Sequence, residues 1–519
     1  MSMQINKDLK INYNKKYLEI AKECKPILNE FEIEPIAFVK VVQDKEMLLS
    51  LGTEVITKNI IETKEMGKDD EIIIDFGTHV VGGVHFDIET VGSPPDAPLL
   101  FDIQYAEMPI EFNGSLENYK GWISKSWIQT ARECIDEPNT EYYSKRRYAF
   151  RYVKIKIWDT SQKYKAKFKN IKARSYSAVD VSKVAIKSSP EFKVIAEVSL
   201  RTLQNCMQNV YEDGPKRDRR LWLGDLYLEA QANYCSFKDV NLVKRCLYLF
   251  AGTLDQSDRV AANIFVKPHV LPDDTYLVDY SLHFVNTLCD YMATTNDLET
   301  VKELYNVAKQ QVGFALTVTN KDDLFIEQDY WWSFMDWNDE LLKATATHGL
   351  FIFTLKNMRK LAKKCEGQEQ DIKDIDKLIA RFSKSALNKL YNEESGLFIC
   401  NNQYSIHSQM WMVLADILSR DEKKKTLKSI SNLETAIQLT TPYAQHFYVE
   451  ALFDAGLIEE AKEHIKTYWG GMIELGADTF WELYDPNNIE FSPYGDHLAN
   501  SYCHAWSCTP VYFIDKYNL

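Results

Sequence analysis

KSSPEF (Lys187–Phe192) is where the chain changes its hydrophobic period, and that change decides the fold. Ser188 or Ser189 can cap a helix here, with Pro190 in its first turn and Glu191 close behind. Upstream the apolar residues alternate. EIIIDFG (Glu71–Gly77), LLFDIQYAE (Leu99–Glu107) and FRYVKIKIW (Phe150–Trp158) read as strands. In the last, Val153, Ile155 and Ile157 face one way while Tyr152, Lys154 and Lys156 face the other. GSPPDAP and EFNGS separate such runs as turns. Downstream the period is three to four. Leu282, Val285, Leu288, Cys289 and Met292 share one helical face; TTND turns the chain; Leu298, Val301, Leu304, Ala308 and Val312 resume the spacing. Similar helix pairs recur around residues 410–432 and 443–470. The expected architecture is multidomain: a β-sandwich over 1–185, then ten to twelve helices over 186–519, a number that can close into an α/α barrel.

Composition narrows the function. The chain has 519 residues, 61 basic against 75 acidic, for a net charge of −14. That sign disfavours a phosphate backbone, so no nucleic-acid partner is expected. No apolar leader opens the sequence and no stretch approaches the roughly 20 apolar residues that span a bilayer, so no membrane partner is expected and the location is expected to be cytoplasmic. The 10 cysteines show no CxxC pair and no metal-ligand spacing, and read as reduced, buried small hydrophobes. GxGxxG, P-loop, HExxH and GxSxG patterns are all missing.

What remains is carboxyl chemistry. Three segments set acids among aromatics: Asp213, Asp218 and Asp225 near Trp222; Asp329, Asp336 and Asp339 among Trp331, Trp332 and Trp337; and Glu482 after Trp481. Glycoside hydrolysis needs two carboxyl groups across one bond, and they can come from distant parts of a chain. Each acid also has a plain structural reading. Asp225 after Gly224 can cap a helix, and Asp213 can close the turn at Gly-Pro.

DGPKRDRRLWLGD (Asp213–Asp225) resembles the signature of the bacterial α-L-rhamnosidases, glycoside hydrolase family 78. DWND (Asp336–Asp339), TPYAQHFYVEALFDAGLIEEA followed by GADTFWELYD, and SYCHAWSCTPVYFI resemble its later segments in order. DFGTHVVGGVHFDI and FRYVKI resemble the β-domain that precedes its barrel. The resemblance covers nearly the whole chain. It implies an (α/α)6 barrel whose enzyme inverts the anomeric centre with no metal or organic cofactor, acting on a small glycoside or oligosaccharide. It maps the general base onto Glu482 and the general acid onto Asp218, where the family has Glu. It makes Asp213, Arg217, Trp222, Asp225, Asp279, Trp332, Asp336, Trp337, Trp481 and His504 candidate sugar contacts. Two more departures stand in the signature: Gly214 in place of Cys, and Leu221 in place of the Gly before Trp, which implies a bulkier pocket floor. The chain ends soon after TPVYFIDKYNL, with no room for the C-terminal β-domain of many relatives. A barrel enzyme for another sugar, and a catalytically impaired glycan binder marked by Asp218, are the alternatives. An oligomer is compatible with all of them.

Overall fold

The computed structural model describes residues 5–328, 332–365 and 368–519. Its N-terminal region is built on a nine-stranded antiparallel sheet: β1 (Asn29–Ile33), β2 (Ala37–Gln43), β3 (Leu51–Thr57), β4 (Glu71–Gly92), β5 (Leu99–Ala106), β6 (Thr130–Ile135), β7 (Glu141–Tyr143), β8 (Tyr148–Asp159) and β9 (Tyr164–Ser177). The path runs β1-β9-β4-β8-β5-β6, with β2 pairing β3 and β4, and β7 pairing β4. The alternation in β8 is the one its sequence shows, with Val153, Ile155 and Ile157 buried. β4 continues well past Gly77, and a register shift between Asp75 and Val80 lets both of its halves pair with β8. Gly82 in β4 is obligatory, because a Cβ there would lie 1.7 Å from the Arg174 carbonyl oxygen of β9. One apolar cluster, including Phe76, Phe86, Phe101, Phe150 and Phe168, fills this region.

The first two dozen residues belong elsewhere. Helix α1 (Lys15–Glu23) packs on a helix of the C-terminal region, and Ile11–Tyr13 pairs with Thr253–Asp255. The expectation of one β body over 1–185 is corrected there.

Twelve further helices follow among the described residues: α2 (Lys193–Cys206), α3 (Leu223–Cys235), α4 (Val240–Ala251), α5 (Val278–Thr295), α6 (Leu298–Leu316), α7 (Ala344–Lys364), α8 (Glu369–Ser385), α9 (Ile406–Leu414), α10 (Arg420–Ser431), α11 (Pro442–Ala455), α12 (Ile458–Glu474) and α13 (Pro510–Tyr517). The TTND turn is resolved as Asn296 in the left-handed region and Asp297 capping α6 through the Thr300 N–H. KSSPEF forms the turn before α2, where the Phe192 N–H donates to the Ser189 carbonyl, so the helix begins at Lys193. α3 contacts α5, α5 contacts α7, α7 contacts α9, and α9 contacts α11. α11 meets α13 through Phe453 against Tyr517, rings 3.7 Å apart, and α13 returns to α3. The helices of this circuit are buried on nearly every face, as α5 and α11 show, whereas the alternate helices α8 and α10 carry charge outward. No helix among the described residues is long and apolar enough to cross a membrane.

Buried polar bonds join the two regions. Lys216, fully buried, donates to Glu111 and to the Asn500 carbonyl at 2.8 Å. His79 bonds Glu107 at 2.9 Å and Asn205 at 3.0 Å, and Glu107 accepts the Tyr502 N–H at 2.7 Å. Arg147 grips Glu212 with two bonds, at 3.0 and 2.6 Å. The sheet region thus braces the loop that opens at Asp213.

Candidate active site

The loop 213–220 is tied by its first acid. Asp213 accepts the backbone N–H of Asp218 with Oδ2 and that of Arg220 with Oδ1, both at 3.0 Å. The turn is tight enough to require Gly214, since a Cβ there would sit 2.5 Å from the Arg217 carbonyl oxygen and 2.7 Å from the Ser501 hydroxyl. Burial pushes the Asp213 carboxyl up to about 8, helped by the charge of Asp218 and opposed by its backbone donors. Asp225 lies in the first turn of α3, whose cap position is Trp222 with no side-chain cap bond, and it is 1% exposed. Its Oδ1 has no hydrogen-bond partner among the described residues, and burial followed by the charge of Asp213 drives its carboxyl well above the ordinary range.

Arg217 joins the two candidate catalytic acids. Its Nη2 donates to Glu482 Oε2 at 2.5 Å, its Nη1 lies 3.5 Å from Asp218 Oδ1, and its Nε holds the Ala499 carbonyl at 2.8 Å. The guanidinium lies 3.9 Å from the Tyr494 ring centre, and the Tyr494 hydroxyl donates to Glu482 Oε1. Burial raises the Glu482 carboxyl above its ordinary range, by more than Arg217 and Tyr494 lower it. Trp506 fixes the Glu482 backbone through a 2.9 Å bond from its indole to the carbonyl. Of the other two arginines of the loop, Arg220 also lines the cleft and Arg219 does not. Arg219 donates to the Lys216 carbonyl, and Arg220 lies over Phe265 and 3.6 Å from Asp273.

These groups line a cleft of about 330 Å³. It opens where the inner helices begin, beside the first turns of α3 and α5 and the loops that precede α7 and α13. Asp213, Arg217, Asp218, Trp222, Asp225, Trp337, Glu482 and His504 all face it. His504 lies tilted against Trp506 with ring centres 4.2 Å apart, and its Nδ1 lies 3.6 Å from Asp225 Oδ1. Burial, and then Arg217, hold its imidazole well below the usual range. The facing atoms of the two, Asp225 Oδ1 and His504 Nδ1, lack a hydrogen-bond partner among the described residues. Such buried, unfilled polar atoms are ready for a polar ligand.

Four of the candidate sugar contacts stand behind the cleft wall instead of on it. Asp279 accepts the backbone N–H groups of Phe334 and Met335, at 2.8 and 3.0 Å, and so holds the loop before α7. Asp336 is saturated by His407, Thr440, Thr441 and the Trp337 N–H. Trp332 stacks on Phe325, and Trp481 packs against Tyr484 and Tyr502. Leu221 is fully buried and paired with Ile264, away from the pocket floor where its bulk was expected. Asp329 and Trp331 lie outside the described residues. The structure adds wall residues that periodicity does not flag: Trp122, Ile123 and Trp127 from the sheet region, Asp273 and Asp274 before α5, and Tyr280, Phe334, Tyr494 and Trp506. Only Trp506 had a sequence signal, two residues after His504 in the closing segment. The described residues hold no group of three or more His, Cys, Asp or Glu placed to bind a metal ion.

Residues 35–175 match the glycosyl hydrolase family 78 α-rhamnosidase N-terminal domain, and residues 185–517 match the bacterial α-L-rhamnosidase six-hairpin glycosidase domain. Among solved structures the chain is similar to a rhamnosidase from Klebsiella oxytoca with rhamnose bound, at 38% identity and TM-score 0.95, over 98% of this chain and 100% of that one. The fold also matches a family 78 rhamnosidase of Bacillus sp. GL1, at 22% identity and TM-score 0.71, over 86% of this chain and 46% of that one. It matches an α-L-rhamnosidase from Streptomyces avermitilis complexed with L-rhamnose at 13% identity and TM-score 0.64, over 95% of this chain and 44% of that one. No curated protein sequence matches the chain.

Proposed function

This chain belongs to glycoside hydrolase family 78, the α-rhamnosidases with a six-hairpin glycosidase domain, and from that premise we propose that it hydrolyses a terminal α-L-rhamnosyl bond with inversion. The observation that carries the reading is one guanidinium, Arg217, set between two carboxyl groups that face the same cleft. Asp218 is the general acid. Its side chain is 20% exposed, so it can reload a proton from solvent between turnovers. Glu482 is the general base, with Arg217 and Tyr494 favouring its ionised form against a burial that still leaves its carboxyl above the ordinary range. In the single displacement a water oxygen bonds to the anomeric carbon as the glycosidic bond breaks. The water proton passes to Glu482, and the proton of Asp218 goes to the leaving oxygen.

Asp213, Arg217, Trp222, Asp225, Trp337 and His504 contact the sugar, with the unfilled Asp225 and His504 atoms meeting its hydroxyls and the aromatic rings its apolar parts. Asp279, Trp332, Asp336 and Trp481 hold the walls. The closed circuit of helices supports an (α/α)6 barrel, and the nine-stranded sheet supports a β-sandwich preceding it. Rhamnose as the sugar is supported by the rhamnose bound in the 38% identical Klebsiella oxytoca rhamnosidase.

The test is a panel of nitrophenyl glycosides with the unaltered protein and Glu482→Gln, together with the anomer first released, read by NMR. Release from the α-L-rhamnoside as the inverted anomer, lost in the variant, is the expected result. Release from a different sugar moves the substrate, and silence across the panel overturns the proposal.

A further inference from the structure

The cleft has a chemical gradient from floor to mouth. Asp225, His504 and Trp506 at its floor are at most 4% exposed, while the more exposed lining residues include Asp218, Trp222, Trp122, Ile123 and Trp127. The aglycone of a terminal sugar seated on the floor passes these more exposed lining residues on its way to solvent, Asp218 and Trp122 among them.

Trp122 is 47% exposed, an expensive state for the largest apolar side chain. It is nevertheless fixed. Its indole N–H donates to the Pro493 carbonyl at 2.8 Å, and its backbone N–H donates to the Tyr494 carbonyl at 3.0 Å. Lys120 on the same arm is tied to Asp496 at 2.9 Å. The other exposed tryptophan among the described residues is Trp158, which is covered by Arg132 at 4.1 Å and bonded to Asp102. Among the described residues Trp122 has no such cover. Tyr494 touches it at a tilt, with ring centres 6.1 Å apart. An indole with its polar atoms spent on backbone and its body held out over a cleft is a preformed stacking surface, with little rotamer entropy left to lose on binding.

Resting on the rhamnosidase reading, we infer that Trp122 is the platform of a leaving-group subsite, which selects rhamnosides whose aglycone presents a flat ring. An aryl ring and the apolar face of a second sugar share that chemistry. Because the arm comes from the N-terminal region, the sheet domain sets aglycone selectivity while the helical domain carries the reaction.

The experiment compares kcat/KM for methyl, nitrophenyl and disaccharide α-L-rhamnosides in the unaltered enzyme, Trp122→Ala and Trp122→Phe. Trp122→Ala is expected to lower the ring-bearing to methyl ratio roughly tenfold, mainly through KM. Trp122→Phe, which keeps a ring but loses the Pro493 bond, is expected to stay within about threefold. A fall for the nitrophenyl substrate alone assigns the platform to aryl aglycones, and a fall for the disaccharide assigns it to sugars. An unmoved ratio in an active enzyme overturns the platform alone. So does a Phe variant as damaged as the Ala variant, which marks Trp122 as a brace for Tyr494. An unaltered enzyme that cleaves no rhamnoside overturns the proposed function and the platform with it.

Discussion

Asp225 and Asp336 read alike in the sequence, as acids close to a tryptophan, yet the fold uses them in opposite ways. Asp336 has both oxygens filled. Oδ2 accepts from His407 at 2.7 Å and the Thr440 N–H at 2.9 Å, while Oδ1 accepts from the hydroxyls of Thr440 and Thr441 and from the Trp337 N–H. Burial pushes its pKa up, but these donors outweigh burial and hold it below the ordinary carboxylate range. Asp225, equally buried, has an oxygen with no partner among the described residues and a pKa well above that range. The difference lies in the donor count. A buried carboxylate met by enough donors is a rivet, and one left short faces something the protein does not supply.

The comparison breaks most visibly at the catalytic pair. Glu482→Gln is expected to lower kcat by about 10²–10⁴ while rhamnose affinity, measured by calorimetry, changes only a few-fold. Asp218→Asn should lose about 10² on a methyl rhamnoside and distinctly less on a nitrophenyl rhamnoside, whose leaving group needs less protonation. Equal losses on both substrates would remove Asp218 from the acid role. The next effect is smaller and separates the rivet from the open acid. Asp336→Asn is expected to lower the urea midpoint by the equivalent of about 1–3 kcal/mol, because it strands buried donors. Asp225→Asn should barely move that midpoint yet raise KM. If both variants behave alike, the contrast drawn from their bonding fails.

Much of this was legible before the structure. The change of period at Lys187–Phe192, the strands, the TTND hairpin and the count of helices follow from apolar spacing, because spacing reports which face of an element meets a core. The acids of the loop 213–225 and Glu482 followed from the ordered family segments, and they do face one cleft. Spacing says nothing of what lies across a gap. Trp122 and Trp127 sit just beyond EFNGS, a stretch that reads only as a turn, and they reach the cleft because the two regions dock through Lys216, Glu111 and Tyr502. Tyr494 belongs to a loop without period, and its bond to Glu482 exists only in three dimensions. That Asp279 and Asp336 stand behind the cleft wall was hidden for the same reason, since donors far away in the chain hold them there.

The smallest effect sharpens the comparison at its intermediate case. Asp213 has two backbone donors, fewer than Asp336, and its carboxyl sits at about 8 through burial and the neighbouring charge of Asp218. An unfolded aspartate titrates near 3.9, so between the two values the folded protein holds a proton that the unfolded chain releases. The stability this contributes is fully present below about pH 4 and is lost as the pH rises through about 8. Asp213→Asn cannot ionise and loses that dependence. Urea midpoints of both proteins at pH 5 and pH 8.5 isolate Asp213, because every other titrating group is common to the pair. The unaltered midpoint should fall further than that of the variant across the interval. Parallel falls would mean that Asp213 is already ionised at pH 5, and that its two backbone donors satisfy it as five satisfy Asp336.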